Sequence, residues 1–232
     1  MLDARIAKRR AHFTVDVALH VPTGEACALF GVSGSGKSTV LACVAGVEPP
    51  DDGHVRVDGV TLFPPSMPLH RRNVGYLTQD AGLFPYLSVS QNVRFGIRPG
   101  NGDPDDRWID ELRERLDLET IWHAPAQRIS GGQARRVALA RMLARRVSLV
   151  LLDEPFAGLD RHLVREMLIA IAEWQRRLRF TLVVVDHQAD ILERLSPRAI
   201  VVENGVCVQD ACWRELRADP ATPLLARLLA PL

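Results

Sequence analysis

A glycine-rich segment carries the clearest chemistry in this sequence: Gly31-Val32-Ser33-Gly34-Ser35-Gly36-Lys37-Ser38. It matches the pattern G-x-x-x-x-G-K-[ST], in which the glycines let backbone N–H groups turn inward around phosphate oxygens. Lysine reaches the β- and γ-phosphates, and the serine hydroxyl can ligate Mg²⁺. A turn that merely joins a strand to a helix is the alternative. The segment predicts a nucleoside triphosphate site formed by Gly31, Ser33, Gly34, Ser35, Gly36, Lys37, Ser38 and Thr39.

Two adjacent carboxylates, Asp153 and Glu154, follow the apolar run of residues 147–152. They are expected at the carboxyl edge of a sheet, where open α/β folds bind ligands. There Asp153 would hold Mg²⁺, and Glu154 would orient or deprotonate an attacking water. A carboxylate pair at a strand end is otherwise usually a solvated turn, so this prediction depends on the phosphate loop.

The elements that must position these residues alternate between strands and helices. Residues 13–21 alternate apolar and polar, which predicts a half-buried strand, expected here as an antiparallel edge. Residues 26–30 predict a buried strand that feeds a helix over residues 38–45, closed by Gly46. Further strands are predicted at residues 55–62, 74–77, 148–152, 180–185, 200–202 and 206–208. This alternation predicts an α/β fold with a largely parallel sheet.

Residues 84–146 lack strand patterns, and we expect them to be helical. Asp103 can cap a helix that has Pro104 at its first position, and apolar residues then recur every four positions at Trp108, Leu112 and Leu116. A second helix is predicted after Asp160, with a core-facing stripe formed by Leu163, Met167, Ile171, Trp174 and Leu178.

Composition limits the possible classes of protein. The 232 residues carry a net charge of +1, which provides no long-range field for nucleic acid. The longest apolar runs are too short to cross a bilayer, so we expect neither an export signal nor a membrane anchor. The four cysteines lie in apolar segments without paired metal-ligand spacing, and we expect them to be reduced core residues.

Residues 128–133, Arg-Ile-Ser-Gly-Gly-Gln, resemble the LSGGQ signature of ABC transporter ATPases, although Ile129 replaces the usual leucine. They stand between the phosphate loop and Asp153, as in that family. Gln79 looks like the family's Q-loop, residues 156–160 like its D-loop and His187 like its switch histidine. The resemblance covers at least residues 13–210.

The resemblance implies a P-loop NTPase (RecA-like) core with an antiparallel β subdomain and a small α-helical signature subdomain. Residues 1–232 would form one domain, with the core and β subdomain at 1–79 and 147–232 and the helical subdomain at 80–146. Gln79 would contact magnesium or water, and His187 the γ-phosphate. Two subunits would enclose two ATP molecules, because one subunit's signature completes the other's phosphate site. The signature residues are Ser130, Gly131, Gly132 and Gln133, and Asp160 belongs to the D-loop.

Two departures from the family pattern concern the nucleotide. Asp186 and Gln188 flank His187, where the family more often has a hydroxyl residue before the histidine. The family also stacks adenine on an aromatic residue upstream of the phosphate loop, and Phe13 is the one candidate here. The sequence therefore predicts triphosphate binding more firmly than it predicts selectivity for the adenine base.

Residues 83–87 form an apolar, aromatic loop that is suited to gripping a short helix of a membrane permease. The chain would then be a peripheral subunit at the cytoplasmic face of the cell membrane, as a homodimer or with a paralogous ATPase subunit. Residues 30–39 and 70–89 look most like molybdate-type oxyanion importers, which also use a substrate-binding protein. Thiamine-type or other small-solute importers are the alternative.

Other classes fit less well. DNA-repair ATPases of this superfamily insert long coiled coils between phosphate loop and signature, but the interval from Gln79 to Ser130 is short and without sustained heptads. A catalytically dead regulator is opposed by the presence of Lys37, Asp153 and Glu154.

Overall fold

The computed structural model describes residues 1–97 and 106–230 and contains one ten-stranded mixed sheet. The strands in sheet order are β5, β4, β1, β2, β10, β9, β3, β8, β7 and β6. Their bounds are β1 Leu2–Arg9, β2 Thr14–Val21, β3 Ala26–Phe30, β4 Asp52–Val57, β5 Val60–Phe63, β6 Val74–Leu77, β7 Leu149–Asp153, β8 Thr181–Val185, β9 Arg198–Glu203 and β10 Val206–Cys212. The helices are α1 Lys37–Ala45, α2 Val89–Phe95, α3 Asp106–Arg115, α4 Gly131–Ala144, α5 Arg161–Leu178, α6 Ala189–Leu195, α7 Trp213–Ala218 and α8 Pro223–Leu229.

Five neighbouring strands, β9, β3, β8, β7 and β6, run parallel and form the centre of the fold. Every residue of β3, β7 and β8 is buried, which explains why these strands are continuous apolar runs rather than alternating ones. Because the strands are parallel, the segments that follow β3, β6, β7 and β8 all leave from the same edge of the sheet. That edge therefore receives the phosphate loop, Gln79, Glu154 and His187.

The antiparallel part of the sheet differs from the expectation. Residues 14–21 do alternate between buried and exposed, but β2 is an interior strand between β1 and β10, so its predicted edge position is wrong. The preceding strand β1 was missed although Leu2, Ala4 and Ile6 alternate with polar residues, because the pattern breaks at Ala7 and Lys8 and leaves only a short signal. Residues 55–62 contribute to two strands rather than one, since Asp58 and Gly59 adopt positive φ and reverse the chain.

The interval between β6 and β7 is helical in its described part. Helix α3 starts at Asp106 and buries Trp108 and Leu112, with Leu116 buried just beyond its end. The expected cap Asp103 and the following Pro104 lie outside the described residues. Trp108 meets Trp174 of α5 edge to face at 5.5 Å, so the helical interval packs directly on a helix of the sheet layer.

The expectation for the core tryptophan is confirmed, and that for the four cysteines is only half right. Trp174 is buried in the core as predicted, and its indole also donates a 2.7 Å hydrogen bond to Glu111. Cys27 and Cys43 are buried, whereas Cys207 is exposed and Cys212 half-buried, because no residue of β10 is fully buried. Within residues 1–97 and 106–230, no helix has the length and apolar character needed to cross a membrane.

Strand β1 supplies a test of this fold. Ile6 is fully buried and pairs with Val17, so Ile6→Ala should lower the free energy of unfolding by about 2–5 kcal/mol through lost burial and the cavity left behind. Urea denaturation followed by circular dichroism measures this loss. Arg5→Ala on the solvent face of the same strand is the control and should unfold close to wild type. Equal losses in the two variants would contradict the orientation of β1.

Candidate functional site

The phosphate loop connects β3 to α1 and adopts the backbone that its glycines permit. Gly31 and Gly36 have φ values of 142° and 106°, in the region that L side chains avoid. A Cβ atom at Gly31 would lie 2.2 Å from the carbonyl oxygen of Val202 on β9, and one at Gly36 would lie 2.9 Å from the Val15 side chain. The loop is therefore pressed against the sheet, and only glycine fits at these two positions.

The Lys37 ammonium lies inside this loop. It donates hydrogen bonds to the carbonyl oxygens of Gly31 at 2.9 Å and Val32 at 2.7 Å, and it lies 3.3 Å from the hydroxyl of Ser35. Burial lowers the pKa of the Lys37 ammonium, and the carboxylates of Glu154 and Asp153 oppose that shift. A buried cation beside inward-turned backbone groups is suited to an anionic ligand such as a polyphosphate.

Asp153 links the end of β7 to the start of α1. Its carboxylate accepts hydrogen bonds from the Ser38 hydroxyl at 3.1 Å and from the Tyr76 hydroxyl at 3.3 Å. Burial raises the pKa of Asp153, and the hydrogen bond from Ser38 opposes the shift. Hydroxyl and carboxylate oxygens are the donors that Mg²⁺ prefers, and a magnesium ion bound with phosphates needs only one or two carboxylates. The pair Ser38 and Asp153 therefore fits the predicted metal.

Tyr76 is a site residue that sequence reasoning missed. It lies one strand away on β6, and its contact with Asp153 exists only because β6 and β7 pair in register, Tyr76 opposite Leu151. The signal available in the sequence was a tyrosine, whose hydroxyl needs a hydrogen-bond partner when buried, within a short apolar strand.

Glu154 and His187 follow neighbouring strands. The Glu154 backbone has a φ of 48°, and its N–H donates to the carbonyl oxygen of Val185 at 3.0 Å, which fixes the turn after β7 to the end of β8. Asp186 is buried, and burial raises the pKa of its carboxylic acid. The exposed ring of His187 lies with Nδ1 3.4 Å from the Asp186 carboxylate. The structure thus brings Lys37, Ser38, Asp153 and Glu154 together, with His187 following the adjacent strand.

The signature residues form a separate group at the start of α4. Ser130 accepts a hydrogen bond from the Gln133 N–H at 3.2 Å, and the Gln133 amide oxygen accepts one from the Ser130 N–H at 2.8 Å, which is a capping box. Gly131 has open space around it. Asp160 caps α5 through the N–H of Leu163, and this hydrogen bond lowers the pKa of Asp160. Among the described residues, no hydrogen bond joins these groups to residues 31–39.

The remaining predicted residues lie around the loop. Ser33 is exposed and Ser35 is buried. The Thr39 hydroxyl accepts hydrogen bonds from Arg10 at 3.0 and 3.2 Å, and Arg10 also pairs with Glu48. Gln79 is exposed, and its backbone carbonyl accepts a hydrogen bond from Arg135 of α4. Phe13 is partly buried, with a ring carbon 3.3 Å from where a Cβ at Gly36 would lie.

Known proteins match most of this chain. A family model described as ABC transporter matches residues 14–157, more than half of the chain. The molybdenum import ATP-binding protein ModC of Rhodobacter capsulatus is 36% identical over 233 residues, covering 98% of this chain and 63% of that protein. The thiamine import ATP-binding protein ThiQ of Jannaschia sp. is 39% identical over 221 residues, covering 94% of this chain and 96% of that protein.

Solved structures agree on the fold. A dimeric bacterial ABC transporter cassette superposes with a TM-score of 0.80 at 25% identity, covering 91% of this chain and 98% of that one. The expected α/β fold, with a nucleotide-binding core and several covering helices, is confirmed.

The two lysines of the sequence, Lys8 and Lys37, provide a matched test of the loop. Lys37→Ala should weaken ATP binding roughly 10- to 100-fold, because it removes a charge-assisted hydrogen bond to phosphate. Lys8→Ala should bind ATP as wild type does, since the Lys8 ammonium contacts Asp51 and the carbonyl of Pro49 instead. Isothermal titration calorimetry with Mg²⁺ measures both affinities. Unchanged affinity in Lys37→Ala would rule out the loop as the phosphate site.

Proposed function

The chain belongs to the ABC transporter family, whose ATP-binding cassettes are ATPases, and on that premise we propose that it binds and hydrolyses ATP to drive import through separate membrane permease subunits. The observation that carries this proposal is the cluster of Lys37, Ser38, Asp153 and Glu154 at one edge of the sheet. These residues supply a cation for phosphates, two oxygen ligands for a metal, and the further carboxylate of Glu154.

In this proposal each side chain has one task. Lys37 exchanges the carbonyl oxygens of its loop for β- and γ-phosphate oxygens. Ser38 and Asp153 would hold Mg²⁺, which would supply positive charge against the phosphates. Glu154 accepts a proton from the attacking water. His187 donates a hydrogen bond to the γ-phosphate, and the Gln79 amide contacts the metal or the water.

Completion of the site requires a second subunit, either another copy of this chain or a paralogous ATPase subunit. Ser130, Gly131, Gly132 and Gln133 begin a 14-residue helix, whose N-terminus favours an anion. Each helix would meet the γ-phosphate bound by the partner, with Asp160 at the same interface. Residues 1–79 and 147–232 would then act as core and β subdomain, and residues 80–146 as the helical subdomain that carries the signature.

The permease contact is expected at residues 83–87 and α2. A docking loop would be expected to expose both of its aromatic residues, but Phe84 is half-buried, because its ring packs on Phe95 at 4.4 Å and lies under the Arg141 guanidinium. Tyr86 is 77% exposed and Phe95 64% exposed. The exposed aromatic pair that a partner could contact is therefore Tyr86 and Phe95, and Phe84 is not part of it. This contact would hold the chain at the cytoplasmic face of the membrane.

The cargo is proposed to be molybdate or a related oxyanion, delivered by a substrate-binding protein, and thiamine is the alternative. Relatives named for both cargoes match most of this chain. Vesicles in which the chain is reconstituted with its permease partner and ATP discriminate between them. Uptake of molybdate supports the proposal, and uptake of thiamine alone would establish the alternative.

Glu154→Gln should block hydrolysis while preserving ATP binding. The amide cannot take a proton from water, so the rate should fall about 10²- to 10⁴-fold. The substitution also removes a negative charge beside the γ-phosphate. The loss of this like-charge repulsion should favour an ATP-bound dimer. Steady-state hydrolysis and size-exclusion chromatography with ATP or ADP measure these effects. Glu166→Gln, at an exposed position of α5, is the control. A wild-type rate in Glu154→Gln would exclude Glu154 as the base.

Tyr86→Ala should leave ATP binding unchanged and reduce the cargo transported per ATP hydrolysed, because the exposed ring is offered to the permease. The reconstituted complex in vesicles measures this ratio. Val60→Ala, another exposed apolar residue on edge strand β5, should transport as wild type does. Equal coupling in Tyr86→Ala and wild type would remove this loop from the permease contact.

A further inference from the structure

The guanidinium of Arg135, on the second turn of α4, joins two segments that are far apart in sequence. Its Nη1 donates to the carbonyl oxygen of Ala157 at 2.6 Å, and its Nη2 donates to the carbonyl oxygen of Gln79. Gln79 follows β6, and Ala157 follows Glu154 by three residues. One side chain therefore connects helix α4 to the backbone segments that follow β6 and β7.

Other contacts show that α4 lies directly against both segments. Arg141 donates hydrogen bonds to the carbonyl oxygens of Gly82 at 2.9 Å and Ala81 at 3.1 Å. A Cβ atom at Gly132 would lie 2.9 Å from the Leu159 side chain, so the first turn of α4 abuts the segment after Ala157. The helix thus holds residues 79–82 and residues 157–159 at two points each.

We propose that Arg135 is a positioning residue: it makes the placement of Gln79 and of the turn that carries Glu154 depend on helix α4. The inference rests on the proposed ATPase function. Arginine suits this task because its planar fork directs separate N–H groups to two acceptors, whereas lysine has a single ammonium.

The proposal predicts which kinetic constant changes. Among the described residues, the hydrogen bonds of the phosphate loop and of Lys37 do not involve Arg135, so ATP should still bind. Loss of Arg135 frees Gln79 and the Glu154 turn, and a misplacement of about 1 Å in a catalytic group can cost up to about 100-fold in rate. The effect should therefore fall on kcat.

The test uses the full chain as wild type, Arg135→Ala, Arg135→Lys and Arg141→Ala. In Arg135→Ala we expect kcat to fall about 10- to 100-fold with the ATP dissociation constant within about two-fold of wild type. Arg135→Lys should recover part of the rate, because one ammonium reaches one carbonyl. Arg141→Ala loses the hydrogen bonds to Ala81 and Gly82 but keeps those to Gln79 and Ala157, so it should lower kcat less than Arg135→Ala does.

Hydrogen exchange with Mg-ATP gives a readout that does not depend on turnover. Amides of residues 79–82 and 155–160 should both exchange faster in Arg135→Ala than in wild type, while those of residues 31–39 should not change.

An unchanged kcat, or unchanged exchange in both segments, would overturn the proposal. So would a loss of ATP affinity as large as that of Lys37→Ala together with a lower Tm, since that would be general structural damage. If Arg135→Ala does not fold, the same measurements of kcat, ATP affinity and hydrogen exchange are made on Arg135→Lys and compared with wild type. A wild-type chain without ATPase activity would refute the proposed function instead, and the exchange experiment would still decide whether Arg135 ties the two segments.

Discussion

The site depends on one buried charge, the ammonium of Lys37. A cation removed from water is costly unless it is paired or hydrogen-bonded, and here two loop carbonyls and the nearby carboxylates of Asp153 and Glu154 meet that need. The loop can supply those carbonyls because Gly31 and Gly36 adopt backbone angles that other residues avoid. The parallel strands β3 and β7, with β8 between them, bring the carboxylates to the same edge. A polyphosphate that entered would meet a cation already in place.

The sequence predicted the parts of the site that lie within single segments. Residues 31–38 form a local motif, and the apolar runs of β3 and β7 are long enough to identify without knowledge of their neighbours. Tyr76 and Arg135 were missed because their roles arise from contacts across the sheet or between loops, which no local pattern records. Tertiary contacts, rather than local propensity, decided these two cases. Strand β1 was missed for a different reason: the alternation of apolar and polar residues breaks at Ala7 and Lys8, so the local signal is short.

The signature residues explain why one chain is expected to be insufficient. Ser130 and Gln133 satisfy each other in a capping box, and within the described residues they make no hydrogen bond to the phosphate loop. The remaining N–H groups at the start of α4 are free to meet an anion from outside the chain. Arg135, on the same helix, ties that outer surface to Gln79 and the Glu154 turn, so closure by a partner would reach the catalytic groups through a short series of hydrogen bonds.

Mixing two inactive variants tests most directly whether two chains share each site. One variant is Lys37→Ala; the other is Gly131→Asp, where the new side chain enters open space but places a negative charge at the start of α4. In a mixed dimer, one site receives both defects and the other receives neither. The account predicts that ATP hydrolysis, absent from each variant alone, returns on mixing, to about a quarter of the wild-type rate for equal amounts and independent sites. No activity at any mixing ratio would contradict a site built from two copies of this chain.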